Sequence, residues 1–377
     1  VSSDGGDSDS DGGATPTDGG GDIPDPGPAE CENGTAEPGE VCFGDTTLLN
    51  GGDAVYVGRF AFANNDANLD VVYTISDQFQ THFGAGDGTF DTEPTVGATV
   101  FHNYLAVADF NNDGIDDYAG GNTDMLDTHR GNGSGGHTAA STNVDLTEDL
   151  SDLVIAQLDS GPPDVIAGVQ GLRLLTVSMD GRVTLSHSVG GSASRVATAD
   201  FDGDGNTDIA AGITGMGVRG VRIYRGEGNG DVQPPLNTPV TAVDIADIAT
   251  GDINGDGDMD IAYVIAATNT LGIMLGNGGA AFAEPITFTT GAEPFRVEVV
   301  EVSNDNTADV VVAHRGDQRL DIFPGQSEGG VGAPVPVLMP APITDLSAGG
   351  DANGDSVPDL VATSVNSELV IVVLSTP

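Results

Sequence analysis

TADFDGDGNTDIAAG, residues 198–212, sets four aspartates within nine positions between two short apolar runs. Asp200, Asp202, Asp204 and Asp208 stand at positions 1, 3, 5 and 9 of that loop, and Gly205 at position 6 permits a sharp turn. A hard cation such as calcium takes about six to eight oxygens at roughly 2.3–2.6 Å, and this spacing offers them. Asn206, at position 7, would add its backbone carbonyl. Carboxylates packed this closely raise one another's pKa and push the loop open unless a counter-ion sits among them. Asp, Asn and Gly also make good turns without any metal. Only repetition in phase with a larger unit separates the two explanations.

That repetition is present. VADFNNDGIDDYAGG (107–121), TGDINGDGDMDIAYV (250–264) and GGDANGDSVPDLVAT (349–363) are clear further copies. Their oxygen sets are Asp109, Asn111, Asp113 and Asp117, then Asp252, Asn254, Asp256 and Asp260, then Asp351, Asn353, Asp355 and Asp359. Ile115, Asp258 and Val357 take the carbonyl position, Gly114 and Gly257 the turn, and Ser356 replaces glycine in the last copy. A poorer copy carries Glu301, Ser303, Asp305 and Asp309. The copy at 155–169 has Gln157 and Asp159 followed by what reads as a GPP insertion, and is expected to hold no ion. The copy around Asn64, Asp66, Asn68 and Asp70 reads as one of changed length. No glutamate stands at position 12 and strands flank the loops, so these are not EF-hands.

Between the final aspartates Asp70, Asp117, Asp164, Asp208, Asp260, Asp309 and Asp359 the steps are 47, 47, 44, 52, 49 and 50 residues. Seven copies at that period mean seven units. Each reads as strand, acidic loop, strand, strand, glycine-rich turn and fourth strand, the turns being GAGDGTF (84–90), GNGSGGH (131–137), GEGNGDV (226–232) and GNGGAAF (276–282). Four strands in about 40–50 residues is the size of a propeller blade, and radial repetition hides strand edges. The expected fold is therefore all-β, a seven-bladed β-propeller of four-stranded antiparallel blades. The last unit ends after its third strand, ELVIVVLS, so Thr46 to Asn50 is expected to close the ring as its outer strand.

Ahead of the repeats, residues 1–30 are almost wholly Gly, Asp, Ser, Pro and Thr, the composition of a solvated tether. Cys31 and Cys42 are the only cysteines, and two close cysteines in a Gly/Pro-rich stretch suit one local disulfide better than a four-ligand metal site. The domain division is thus a tether (1–30), a Cys-stapled segment (31–45) and a propeller (46–377). CENGTAEPGEVCFG (31–44) resembles the Cys-rich surface repeats of myxobacteria and their relatives, departing from them at Glu32 and Phe43.

Acidic residues outnumber basic ones 58 to 11, all 11 being arginine, for a formal charge of -47. Such a charge repels nucleic acid and anionic membranes, and disfavours compaction unless cations neutralise part of it. A salty habitat accounts for the acidity as well as bound metal does. No apolar run is long enough to span a membrane. The chain opens at Val1 with no apolar leader, from which a removed export signal is expected.

The repeats over 46–377 resemble the FG-GAP or VCBS repeats of the integrin α-subunit propeller and of bacterial extracellular proteins. The resemblance implies calcium in the loop between the first two strands of a blade, with partners binding elsewhere on the propeller. It does not extend to the integrin's metal-dependent adhesion domain. The histidines, His82, His102, His129, His137, His187 and His314, look scattered, and neither an HExxH pair nor a GxSxG elbow occurs. Arg315, Gly316 and Asp317 form an RGD triplet best ascribed to chance.

The expectation is a secreted or surface-held module that is no enzyme, binding about three to five calcium ions and acting in adhesion, recognition or as a scaffold. Its partner would be a surface protein or glycan, with a lipid anchor on the tether and no nucleic acid. The alternatives are a lectin or carbohydrate-active enzyme using a propeller face, and a purely structural surface protein.

Overall fold

A computed structural model describes residues 41–377 apart from 77, 100–101, 139–141, 147, 170–172, 178–182, 189–191, 216–218, 242, 328 and 377. The described residues form seven four-stranded antiparallel sheets, each with its strands in simple meander order. Blade 1 is Val57–Ala61, Asp70–Thr74, Gln78–His82 and Thr95–Thr99. Blade 2 is Tyr104–Ala108, Asp117–Gly121, Met125–His129 and Thr142–Asp145. Blades 3, 4, 5 and 6 begin at Leu150–Ala156, Ser192–Ala199, Asp247–Gly251 and Pro294–Val300. The first strands of neighbouring blades touch all the way round, so they line a central channel.

Six of the sheets run as unbroken stretches of four consecutive strands, so the seven expected blades stand as six continuous ones and one shared between the two ends, as the expected pairing of Thr46 to Asn50 requires. The remaining sheet is built from both ends of the chain: Asp345–Ala348, Leu360–Ser364 and Leu369–Ser375 from one, Phe43–Asn50 from the other. Thr46 pairs with Val373 and Asn50 with Leu369, after an irregularity that follows the Phe43–Ser375 pair. The closing strand thus starts three residues before Thr46, inside the segment assigned to the Cys staple. Cys42, next to it, is wholly buried, while Cys31 and the tether lie outside the described residues.

Burial follows the strand's place in the blade. The second strands, Asp70–Thr74, Asp117–Gly121, Asp309–His314 and Leu360–Ser364, are buried at every residue, because sheet neighbours flank them and other blades cover both faces. Hence their unbroken apolar runs, such as DVVVAH. The fourth strands are the rim, and Ile286–Thr289 is largely exposed. Glycine turns of bridge form, Gly84 to Phe90, Gly131 to His137, Gly226 to Val232 and Gly276 to Phe282, join third and fourth strands, with a further one from Gly325 to Val331.

Candidate functional site

The acidic loops join first and second strands and share one hydrogen-bond plan. The position-1 carboxylate accepts amides from the far side of its own loop: Asp200 from Gly203 (2.8 Å), Asp204 (3.2 Å) and Gly205 (2.8 Å). Asp109 accepts from Asn111, Asp113 and Gly114, Asp252 from Asp256 and Gly257, and Asp351 from Gly354, Asp355 and Ser356. Position 5 accepts the amide of position 7: Ile115 to Asp113, Asn206 to Asp204, Asp258 to Asp256, Val357 to Asp355 and Thr307 to Asp305, each at 2.8–2.9 Å. This winding needs a left-handed residue at position 6, met by Gly114, Gly205 and Gly257 at φ of 86–90°, and by Ser356 at 74°.

The final aspartate does more than offer a ligand oxygen. Asp208 accepts the Phe201 amide at 3.0 Å and the Gly226 amide at 2.7 Å, which fastens the acidic loop to the glycine turn of the same blade. Asp260 does the same with Ile253 and Gly276, and Asp309 with Val302 and Gly325. In the composite blade Asp359 takes Ala352 and Ser375. Burial pushes Asp70, Asp208, Asp260, Asp309 and Asp359 up to about 6, against the lowering effect of these amides.

Among the described residues, one acidic loop brings three carboxylates to a common centre: Asp200, Asp202 and Asp208 each place an oxygen within 4.8 Å of the others. In the other loops an amide group intervenes. Asn111 donates to Asp117 at 3.1 Å, and Asn254 and Asn353 donate to Asp256 and Asp355 at 2.9 Å. Ser303 bridges Glu301 (3.3 Å) and Asp309 (3.2 Å) through its hydroxyl. The Val357 carbonyl, expected to face an ion, accepts the Ser375 hydroxyl at 3.2 Å.

Two loop readings are corrected. The first loop has the ordinary length, with Phe62 in place of the position-1 carboxylate; Ala63 and Gly84 amides still bond Asp70 at 3.0 Å. The third is one residue shorter than its relatives rather than enlarged, and the Gln157 side chain spans it to the Asp159 and Gly161 carbonyls.

Four of the loops also touch the next blade. The glycine turn of one blade donates an amide to the carbonyl at position 2 of the preceding loop: Gly135 to Ala63, Gly230 to Leu158, Ala280 to Phe201 and Gly88 to Ala352, at 2.9–3.1 Å. The loops are therefore junctions between blades as well as candidate ion sites.

A second polar feature lines the central channel, a cavity of about 250 Å³. Equivalent positions of the first strands carry Val57, Tyr104, Asp152, Arg195, Asp247, Arg296 and Asp345, an alternation of charge from Asp152 to Asp345 that Arg59, two residues beyond Val57, extends into blade 1. Arg59 meets Asp345 at 2.6 Å, Arg296 meets Asp345 at 2.7 Å and Asp247 at 3.6 Å, and Arg195 meets Asp247 at 3.0 Å. Burial raises Asp247 because its arginines only partly offset it, whereas at Asp345 Arg59 and Arg296 outweigh burial and hold it low. Glu298, also lining the channel, is pushed up to about 8 by burial and by the Asp247 charge. Nothing in the sequence marked these residues, which stand singly among ordinary strand residues of different blades.

Nor are the histidines all scattered. His102, His129 and His137 converge around Asp127 between blades 1 and 2, with Asp127 Oδ1 lying 2.5 Å from His102 Nε2 and 3.2 Å from His129 Nε2. His187 is on a strand whose side chains fall outside the described residues. The RGD triplet is exposed in part but occupied: Arg315 stacks over Phe295 at 4.8 Å, and Asp317 accepts the Ala292 amide at 2.8 Å.

Residues 200–263, which span the fourth acidic loop and the fifth, match the model of the FG-GAP-like repeat. The chain is a β-propeller that carries an FG-GAP-like repeat. Among solved structures, this propeller resembles BBS1N, crystallised in complex with ARL6DN and soaked with mercury, at a TM-score of 0.62 and 11% identity, covering 89% of this chain and 96% of that one. It also resembles an Agrocybe aegerita lectin solved for its recognition of non-reducing terminal N-acetylglucosamine, at a TM-score of 0.55 and 14% identity over 83% of this chain and 86% of that one. At such identities the likeness is one of fold. No curated protein matches the chain. Among the described residues no helix is long and apolar enough to cross a membrane.

Proposed function

We propose that this FG-GAP-like propeller is an extracellular or cell-surface recognition or scaffold module whose acidic loops take calcium and so lock each blade to the next. The observation that carries this is the fourth loop, where Asp200, Asp202 and Asp208 converge within 4.8 Å while the adjoining Phe201 carbonyl accepts the Ala280 amide of blade 5. An ion there neutralises a carboxylate cluster and stiffens a loop on which the neighbouring blade rests. The chain then works by binding rather than by catalysis, its ions being structural.

Two measurements test this. Elemental analysis of protein dialysed from calcium buffer should count about three to five ions. Chelation should lower the melting temperature by many degrees, since each ion held at 1,000 times its Kd adds about 4 kcal/mol to stability. An unchanged melting curve, with no calcium retained, would sink the proposal.

A protein partner is supported by the crystallised complex of BBS1N with ARL6DN. The lectin neighbour favours a second reading, a glycan ligand held without tryptophan, of which the chain has none. A glycan array run with calcium and with chelator separates the two.

A further inference from the structure

We propose that the layer between blades 1 and 2 contains a transition-metal site of the zinc class, ligated by His102 Nε2, His129 Nε2 and Asp127 Oδ1. It is separate from the acidic loops and does not depend on their binding calcium. His102 lies on the connection into blade 2, where its carbonyl accepts the Thr74 hydroxyl of blade 1 at 3.0 Å. Asp127 and His129 lie on the third strand of blade 2, one turn of the pleat apart. The three ligand atoms lie within 4.8 Å of one another, and the two histidines are 3% and 1% exposed.

Hydrogen bonding at His129 leaves Nε2 facing a carboxylate. Its Nδ1 is 3.3 Å from the Thr138 carbonyl, which only accepts, so the proton sits on Nδ1. A neutral ring then turns the lone pair of Nε2 toward a carboxylate oxygen 3.2 Å away. Two lone pairs at that range in a buried site require a proton or a metal between them. An imidazole whose far nitrogen is anchored on a backbone carbonyl is the usual arrangement of a metal ligand. His102 Nδ1, by contrast, is buried with no hydrogen-bond partner.

Blade 2 is also cleared for these rings. A Cβ at Gly120 would stand 2.3 Å from His102 Nδ1, and the equivalent positions of the other blades all carry side chains: Tyr73, Ala167, Ala211, Tyr263, Val312 and Ala362. Gly97 makes comparable room for His137, whose ring lies edge-on to His129 with centroids 4.8 Å apart. Ligands on one tetrahedral zinc ion stand about 3.3 Å apart. The His129 to Asp127 spacing already fits, and the 2.5 Å between His102 and Asp127 must widen for both to hold one ion. Water or His137 completes the shell. Two imidazoles and one carboxylate favour zinc, nickel or copper over calcium, whereas the oxygen-only loops favour calcium.

The test is a Co2+ titration of the full chain in millimolar calcium, which keeps the acidic loops occupied. One equivalent should bind with the visible absorption bands of a low-coordinate nitrogen and oxygen site, and Zn2+ should displace it. His129→Gln and Asp127→Asn should weaken binding by about 10–100-fold or more, with far-UV circular dichroism confirming that they fold. Gly120→Ala, which crowds His102 without removing a ligand, should weaken it as well. If the unaltered protein shows no saturable band, or His129→Gln binds as tightly as the parent, the cluster is a protonated histidine pair on Asp127 and the metal site is overturned.

Discussion

The acidic loops and the channel ring both gather charge, by opposite routes. In the loops, carboxylates are neighbours in sequence, crowd one another, and are relieved by backbone amides and by whatever cation enters. In the channel, Arg59, Arg195 and Arg296 come from three different blades and meet Asp247 and Asp345 from two others, so the relief is built into the protein. The loops should therefore answer to solution conditions, and the channel should not. With only 11 basic residues against 58 acidic ones, spending three arginines on the channel leaves the loops to external cations.

The largest effect should come from the channel. Arg296→Met removes the cation shared by Asp247 and Asp345 and leaves each buried carboxylate with one arginine, Arg195 and Arg59, a loss of about 3 kcal/mol. Denaturant unfolding should show the same loss with calcium and with chelator; a loss confined to one condition would erase the contrast between the two regions.

Next in size is Asp208→Ala, which orphans the Phe201 and Gly226 amides and deletes a convergent carboxylate. A loss of about 2–4 kcal/mol is expected from two unsatisfied donors, larger in calcium than in chelator. Equal losses would mean that Asp208 is an anchor alone.

Acidity sharpens the comparison further. Six loop aspartates, Asp164 among them, have folded pKa values raised from 3.8 to about 6, so without divalent cations the native state takes up protons before the unfolded chain does. Stability gained from this source is complete below the unfolded pKa and is lost as pH rises through about 6. In chelator the melting temperature should climb as pH falls from about 7 to about 5. Saturating calcium, which favours the ionised form, should flatten or reverse that slope. Parallel curves in the two conditions would show that calcium does not touch these carboxylates.

The smallest effect is a gain. Ser356 holds φ 74° where its relatives have glycine, so Ser356→Gly should add about 0.5–1 kcal/mol, read as a higher midpoint with unchanged slope.

Much of this was legible because it is local. The period of the final aspartates, the oxygen spacing and the glycine punctuation each depend on residues within one loop or one hairpin. Loop detail failed where a single substitution hid the alignment: Phe62 replaces an acid without changing loop length, and the shortened third loop mimics an insertion. The channel ring and the His102, Asp127 and His129 cluster were not legible, although Gly120, a gap where other blades carry side chains, was a signal of the latter.

The amino-acid sequence alone determined the blade period, the all-β architecture and the acidic turns, since strand alternation and turn chemistry are properties of short segments. Tertiary structure decided how far the closing strand reaches back, to Phe43, which charges face across the channel, and which histidines meet. Those contacts join residues tens to hundreds of positions apart, and only closure of the ring sets the distances on which their electrostatics depend.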